Sequence, residues 1–440
     1  LFLEKALEIR RKALGEMHPD VAQSLHNLAS AYRVMGNNSE GERLYRQALE
    51  VARSTLGESH PDLANYLYSL SGVYEDAGNY TEAEALDLEV LEIRREALRE
   101  KHPLVAQSLS ALGQLYGNIG RYAEAEMQFR RATQITLSTV GKEHEDFADL
   151  LHKLATLYLK MGNYTEAETR YRESLEIRRK VAGEVHPEVA NSLSNLAILC
   201  ATTGRVSEAM SMMQQVTAIE DQIIGQVFSV VSERQRMAFL TTLQVNFHLF
   251  FSLIRHSRAG SPKSALELVL RRKSLGAEVL AAQRDAVLGG HYPNLQGELR
   301  TLALLRGQIA QKTLAGPGPE GLEAHQQQLA EWNTQRERLE ADLARQLPEM
   351  SLRQQLLAAD RQAIAQALPP GSALIEFVRI KTFDFNTALA LGRTALATLY
   401  VAFVLTAGQP DNVRMIELGT PTVSTRELLL SGRRSLAMMK

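Results

Sequence analysis

HPDVAQSLHNLASAYRVMGNNSEGERLYRQALEVARSTLGES, residues His18 to Ser59, is one period of a pattern that runs through the first half of the chain. His-Pro occurs at His18-Pro19, His60-Pro61, His102-Pro103 and His186-Pro187, with His144-Glu145 in the remaining slot, a period of 42 residues without a slip. Two further anchors keep the same phase. One is the turn at Gly36-Asn37-Asn38, Gly78-Asn79-Tyr80, Gly120-Arg121-Tyr122, Gly162-Asn163-Tyr164 and Gly204-Arg205-Val206. The other is the acid-alanine-acid step at Glu82-Ala83-Glu84, Glu124-Ala125-Glu126 and Glu166-Ala167-Glu168.

Each period reads as two antiparallel helices. Pro19 suits the first helical position, where its missing N–H would lack a partner anyway, and Asp20 sits at the positive end of the dipole. Ala22, Leu25, Leu28, Ala29 and Tyr32 then recur at three and four residues, which predicts a helix over Pro19–Met35. Gly36 supplies the left-handed residue that ends it. A second helix follows over about Ser39–Leu56, with Leu44, Ala48, Leu49 and Ala52 inward and Gly57 as its stop. Ala22, Ala64, Ala106, Ala148 and Ala190 share one slot, where small side chains let helices approach closely, and Tyr32, Tyr74, Tyr116 and Tyr158 share another. One pair cannot bury such stripes alone, so the pairs are expected to stack.

This pattern resembles tetratricopeptide repeats in the 42-residue form of kinesin light chains and many bacterial scaffolds. The resemblance covers residues 1–224: a half repeat, in which Leu3–Gly15 aligns with Tyr45–Gly57, and five full repeats, the fifth loosened by Val206 and Met210. It implies a mainly α chain and an α-solenoid wound as a right-handed superhelix, with the first helices lining a groove for a protein or peptide partner. Because the chain opens inside a second helix, the parent protein is expected to continue further in the N-terminal direction.

Beyond Ile224 the phase is lost but helical patterning persists, at about 226–257, 262–288, 294–314, 320–347 and 351–367. Gly316-Pro317-Gly318-Pro319 marks a turn, around which Leu295, Leu299, Leu302 and Ile309 face Leu322, Leu329, Trp332, Leu339 and Leu343 as a helical hairpin. After the turn Pro369-Pro370-Gly371 the period changes. Strands are expected at 373–378, 399–405 and 413–418, with a hairpin turn at Gly408-Gln409-Pro410-Asp411 and a helical tail from Ser424.

The phrases LPPGSALIEFVR (368–379), TFDF (382–385), LYVAFVL (399–405) and VRMIELG (413–419) resemble the opening of a CHAT domain, a caspase-like peptidase fold often found after tetratricopeptide repeats. SERQRMAFL (232–240) and ALELVLRRKSLGAEVLAAQRDAVL (265–288) resemble the helical connector of such bacterial proteins. The implied organisation is repeats at 1–224, a connector at 225–368, and the incomplete start of an α/β caspase-like domain at 369–440. Such a truncated sheet, lacking its covering helices, is expected to be poorly packed. In that family a His and a Cys, each after a central strand, would carry peptide cleavage, and both would lie beyond Lys440. No catalytic residue is therefore transferred to this chain, which reads as the non-enzymatic regulatory arm; the alternative is a fragment of a CHAT-type cysteine peptidase.

Composition supports a binding role over several others. Lys+Arg number 49 and Asp+Glu 51, so the net field favours neither nucleic acid nor an anionic membrane. The apolar stretch Met237–Ile254 carries Thr241, Thr242, Gln244, Asn246 and His248, too polar for a bilayer core. A single cysteine, Cys200, sits in the apolar run Leu196–Cys200 and reads as a core residue of a cytoplasmic protein. The phased histidines stand one per repeat, and helices 8–10 Å apart cannot bring two of them within about 2.1 Å of one metal ion. Neither a cofactor loop nor a metal set is read from the chain. Arg10-Arg11-Lys12, Arg94-Arg95, Arg130-Arg131 and Arg178-Arg179-Lys180 fall near the ends of second helices, where cations complement the dipole, and Arg271-Arg272-Lys273 reads as a solvated face.

The groove itself is read from two columns one helical turn apart on the first helices. They are Gln23, Asn65, Gln107, Asp149, Asn191 and Asn27, Ser69, Ala111, Lys153, Asn195. Amides can both donate to and accept from an extended backbone, so these polar positions are the expected contacts of a bound peptide.

Overall fold

The computed structural model describes residues 2–227, 239–257, 261–272, 295–315, 321–346, 361–383, 385 and 397–420. The chain is mainly α and divides into two compact units, Leu1–Val181 and Ala182–Lys440. The turn expected at 316–319 and the tail from Ser424 lie outside the described residues, as do 273–288 of the second connector helix.

The first unit is a run of helical hairpins: α1 (Phe2–Leu14), α2 (Pro19–Val34), α3 (Asn38–Leu56), α4 (Leu63–Asp76), α5 (Tyr80–Leu98), α6 (Pro103–Asn118), α7 (Tyr122–Thr139), α8 (Glu145–Lys160) and α9 (Tyr164–Ala182). Each helix packs on the next, and Ala22, Ala64, Ala106 and Ala148 are buried as the close-approach slot requires. Gly36 takes φ +80 after α2, the left-handed turn read from the sequence.

The histidine ladder has a defined task. Nδ1 of His18, His60, His102, His144 and His186 accepts from the backbone N–H two residues on, at 3.1–3.2 Å. For α2, α6 and α8 the imidazole is thus the N-cap, satisfying a donor that the helix leaves open. The tyrosine and acid anchors meet as well. Tyr116 donates to Glu84 at 2.9 Å and Tyr158 to Glu126 at 2.8 Å, so the second acid of these two steps fastens the following repeat.

One residue breaks the repeat rule. Arg99 adopts φ 72, ψ 158 where Gly15, Gly57, Gly141 and Gly183 occupy the matching slot. A side chain in this region of backbone space costs about 1–3 kcal/mol. Arg99→Gly is expected to stabilise the chain by about 1 kcal/mol after glycine's larger unfolded-state entropy is subtracted. Urea unfolding would show this as a higher midpoint, and an unchanged or lower midpoint would refute it.

The second unit contains α10 (Pro187–Thr202), α11 (Val206–Val227), helices Gln244–Ser257, Gln296–Ala315, Gly321–Gln346 and Arg361–Ala367, and a helical segment at 262–272. Cys200 is buried on α10. Gln296–Ala315 and Gly321–Gln346 pack together through Leu302, Leu305 and Leu343, the helical pair expected of the connector. Arg271 and Arg272 are not a solvated face. Arg272 pairs with Glu220 at 2.8 Å and Asp221 at 3.2 Å, and Arg271 with Asp221 at 2.9 Å. An unpaired buried acid is costly, so two acids on α11 draw both guanidinium groups inward.

Three antiparallel strands, β1 (Ala373–Thr382), β2 (Ala397–Thr406) and β3 (Gln409–Gly419), form a sheet in the order β1-β2-β3. The β2–β3 turn is tighter than read from the sequence: Thr406 pairs with Gln409, leaving Ala407-Gly408 at the tip, with Gly408 at φ +69. Pro410 is tolerated because β3 is an edge strand. The expectation of poor packing is not met on one face. Val401, Phe403 and Leu405 are fully buried there: helix Gln244–Ser257 packs on β1 with its Phe251 ring 6.0 Å from that of Phe403, and helix Arg361–Ala367 packs on β2 and β3. Phe383 N–H also donates to Ser252 Oγ at 3.1 Å. These two helices thus supply part of the cover expected to be missing. The opposite face leaves Ile375, Phe377 and Ile416 exposed.

Candidate binding cavity of the repeats

Of the predicted contacts, Gln23 and Asn27 are exposed on α2, where Gln23 donates to Asn27 at 3.0 Å. Asn65 is exposed on α4 and Ser69 half-buried there; Ser69 Oγ lies 2.8 Å from His26 Nε2. Lys153 on α8 donates to Ser110 at 3.1 Å. Asn191 and Asn195 belong to the second unit. Asn195, only 7 % exposed, is largely withdrawn from solvent and donates to Asn191 at 3.4 Å.

Arginines from the second helices fix these columns from behind. Arg94, 2 % exposed, donates to Leu104 O at 3.1 Å, Gln107 Oε1 at 3.1 Å, Ser108 Oγ at 2.9 Å and Asn65 Oδ1 at 3.4 Å. It also lies over the Tyr68 ring, 5.3 Å from its centroid. Arg178 pairs likewise with Asp149. Arg10 reaches Asp20 O at 3.2 Å and Ser24 Oγ at 2.7 Å. These side chains are tethers between helices rather than dipole complements at helix ends, which corrects the sequence reading of Arg94 and Arg178. A guanidinium, with five donors in a rigid fork, suits a site where several backbone and amide oxygens converge.

Ser69, Gln107, Ala111, Asp149 and Lys153 come together around one cavity of about 540 Å³. Gln23, Asn27 and Asn65 do not line it. Its wall also includes residues not read from the columns, among them Arg33, Tyr68, Gly72, Glu75, Asp76 and Asp87, with Thr136 and Val140. Arg33 is committed to Asp76 at 2.6 Å. Burial, with the neighbouring Asp87 and Asp76 charges, raises Glu75 to about 7. Burial raises Asp87 to about 6, against hydrogen bonding by Ser71 and the pull of Arg94. The signal that could have found Asp87 is its slot. Tyr45, Phe129, Tyr171 and Met213 occupy the same phase, and all are buried. Among the described residues no group of three or more His, Cys, Asp or Glu is arranged to hold a metal ion.

The Tetratricopeptide repeat family profile matches residues 20–86, 69–138 and 146–221. The chain therefore carries tetratricopeptide repeats over these residues. Among solved structures, the nearly identical TPR-like repeats assigned to a kinesin light chain of Podosopora anserina share 28% identity. That match covers 47% of this chain and 98% of that one, with a TM-score of 0.41. BtubC (BKLC) of P. vanneervenii shares 20% identity over 63% of this chain and 92% of that one, with a TM-score of 0.42. No curated protein matches the chain. No helix among the described residues is long and apolar enough to cross a membrane.

Proposed function

We propose that this chain is a protein-interaction scaffold whose first unit holds an extended segment of a partner protein along α4, α6 and α8. The observation that carries this reading is the convergence of Ser69, Gln107, Ala111, Asp149 and Lys153 on one cavity, with their polar atoms positioned by Arg94 and Arg178. Prepositioned donors and acceptors lower the ordering entropy that a bound peptide must overcome.

In the same reading, residues 1–224 are the repeat array, 225–368 the connector and 369–440 the opening of a CHAT domain. The chain is then the regulatory arm of a caspase-like protein working in the cytoplasm. Supporting this are the strand phrases, which do form a sheet, and the lone cysteine, which is buried.

Binding is tested by selecting peptides of roughly 12 residues from a random library against the whole chain. Ala111→Arg places a bulky charge on the half-buried wall of α6 and is expected to weaken the selected binders by about tenfold or more. Glu92→Arg, on the exposed side of α5, is expected to leave them unchanged. Binders indifferent to Ala111→Arg, or a failure to select any, would remove the groove from consideration.

A further inference from the structure

The second repeat departs from its neighbours at three adjoining slots. In the first repeat, the Tyr45 ring lies 5.3 Å from the His26 ring and its hydroxyl 2.7 Å from Ser30. In the fourth, Tyr171 is 5.0 Å from His152 and 2.8 Å from Thr156. The matching positions of the second repeat are Asp87 for the tyrosine, Tyr68 for the histidine and Gly72 for the hydroxyl. A ring and its partner have been replaced by a carboxylate and a glycine, and the cavity lies at that point.

Resting on the groove reading above, we propose that this cavity takes one basic side chain, lysine or arginine, of the bound segment, with Glu75 and Asp87 as its counter-charge. Asp87 lines the cavity, is 2 % exposed, and its Oδ2 has no hydrogen-bond partner among the described residues. Buried carboxylate oxygens are normally satisfied, so this one marks a place for a donor. Neither Glu75 nor Asp87 forms an ion pair among the described residues. No nearby cation bonds either acid: Arg33 pairs with Asp76, Lys153 donates to Ser110, and Arg94, whose charge Asp87 feels, donates to neutral oxygens. Leu104, Ala106 and Val140 add apolar wall suited to a methylene stem. Ser69 and Gln107 on the same cavity are placed for the backbone that carries the side chain.

The groups facing the two acids are Arg33 from α2, Tyr68 and Asp76 from α4, and Arg94 from α5. Both acids are raised, Glu75 to about 7 and Asp87 to about 6, so part of their charge is absent at pH 5 and present at pH 8. A cation favours the ionised forms and releases protons on binding, so affinity for a basic residue strengthens as pH rises across that range.

The probe is a library of acetylated nonapeptides in which one position at a time is fixed as Lys, Arg, norleucine or citrulline, measured against the whole chain. At one position Lys and Arg are expected to bind about tenfold or more tightly than norleucine and citrulline, the margin growing from pH 5 to pH 8. The near-isosteric double variant Glu75→Gln/Asp87→Asn, with its fold checked by circular dichroism, is expected to erase that margin while still binding the norleucine peptides. Equal binding of Lys and norleucine peptides overturns the assignment and leaves the groove reading intact. A margin that survives in the double variant places basic recognition elsewhere and also overturns it. If no peptide binds at any position, the groove reading fails and this inference with it.

Discussion

Arg272→Ala is expected to destabilise the second unit by about 3–5 kcal/mol at pH 8. Glu220 is 2 % exposed, and Arg272 is its cationic partner; Asn246 donates to the same carboxylate at 2.8 Å and accepts from Ser194 at 2.8 Å. One network thus joins α10, α11, helix Gln244–Ser257 and the segment at 262–272. Truncating the arginine leaves Glu220 uncompensated and Asp221 with Arg271 alone. The pH dependence follows from the shifts. Burial already raises both acids above their ordinary range despite Arg272. An acid raised on folding contributes stability that is fully present below its unfolded pKa and is lost as pH rises through its folded one. Removing the arginine raises both acids further, so the loss is greatest at pH 8 and smaller near pH 5. Arg272→Met combined with Glu220→Met is expected to recover most of it, because a pair of matched apolar side chains buries no charge. Urea titrations at both pH values decide the matter; a loss below about 1 kcal/mol, or one independent of pH, would refute the account.

Asp87→Phe works in the opposite direction, with an expected gain of about 2 kcal/mol at pH 8. Asp87 rises from 3.8 to about 6 on folding, so its ionisation opposes the folded state throughout the range above that value. Phenylalanine is the residue that Phe129 supplies in the same slot, and the adjoining cavity leaves room for the ring. The gain shrinks as pH falls from 6 towards 4, where the acid is protonated in the folded chain and no longer carries the penalty. Thermal or urea midpoints that fail to rise at pH 8, or that rise equally at pH 4, would contradict this. The same substitution is expected to abolish the preference for basic peptides. Stability and recognition are then opposed at one side chain, a usual sign of a position kept for binding.

The helical frame was legible because its signals are local and repeated. His-Pro, the Gly-Asn turn and the acid-alanine step each act within a few residues, and 42-residue spacing multiplies a weak propensity into a firm one. Strand positions were equally plain, though the β2–β3 turn moved by two residues because Pro410 sits on an edge where its missing N–H is harmless. What the columns missed was depth. Counting along a helix shows that Asn195 and Asn27 share a slot, but not that the end of the array buries one and exposes the other. Arg272 looked solvated because its partners, Glu220 and Asp221, lie some fifty residues away, beyond any local window. Asp87 could have been found from the sequence by comparing slots between repeats rather than residues along one helix. A charge in a column of buried rings is a departure that no single repeat displays.

Arg10, Arg94 and Arg178 stand 84 residues apart, while Ala52 and Thr136 fill the slots between them. The inter-repeat junctions of the first unit therefore alternate. A guanidinium cross-links α1 to α2 and α5 to α6, whereas α3 meets α4 and α7 meets α8 through short side chains alone in that slot. Such a stack is expected to have unequal compliance: the α7–α8 junction keeps its Tyr158–Glu126 bond but lacks the guanidinium, so load along the stack would strain it before the α5–α6 one. The cavity wall includes Thr136 at that softer junction, so an occupant touching both α4 and α8 would set its curvature.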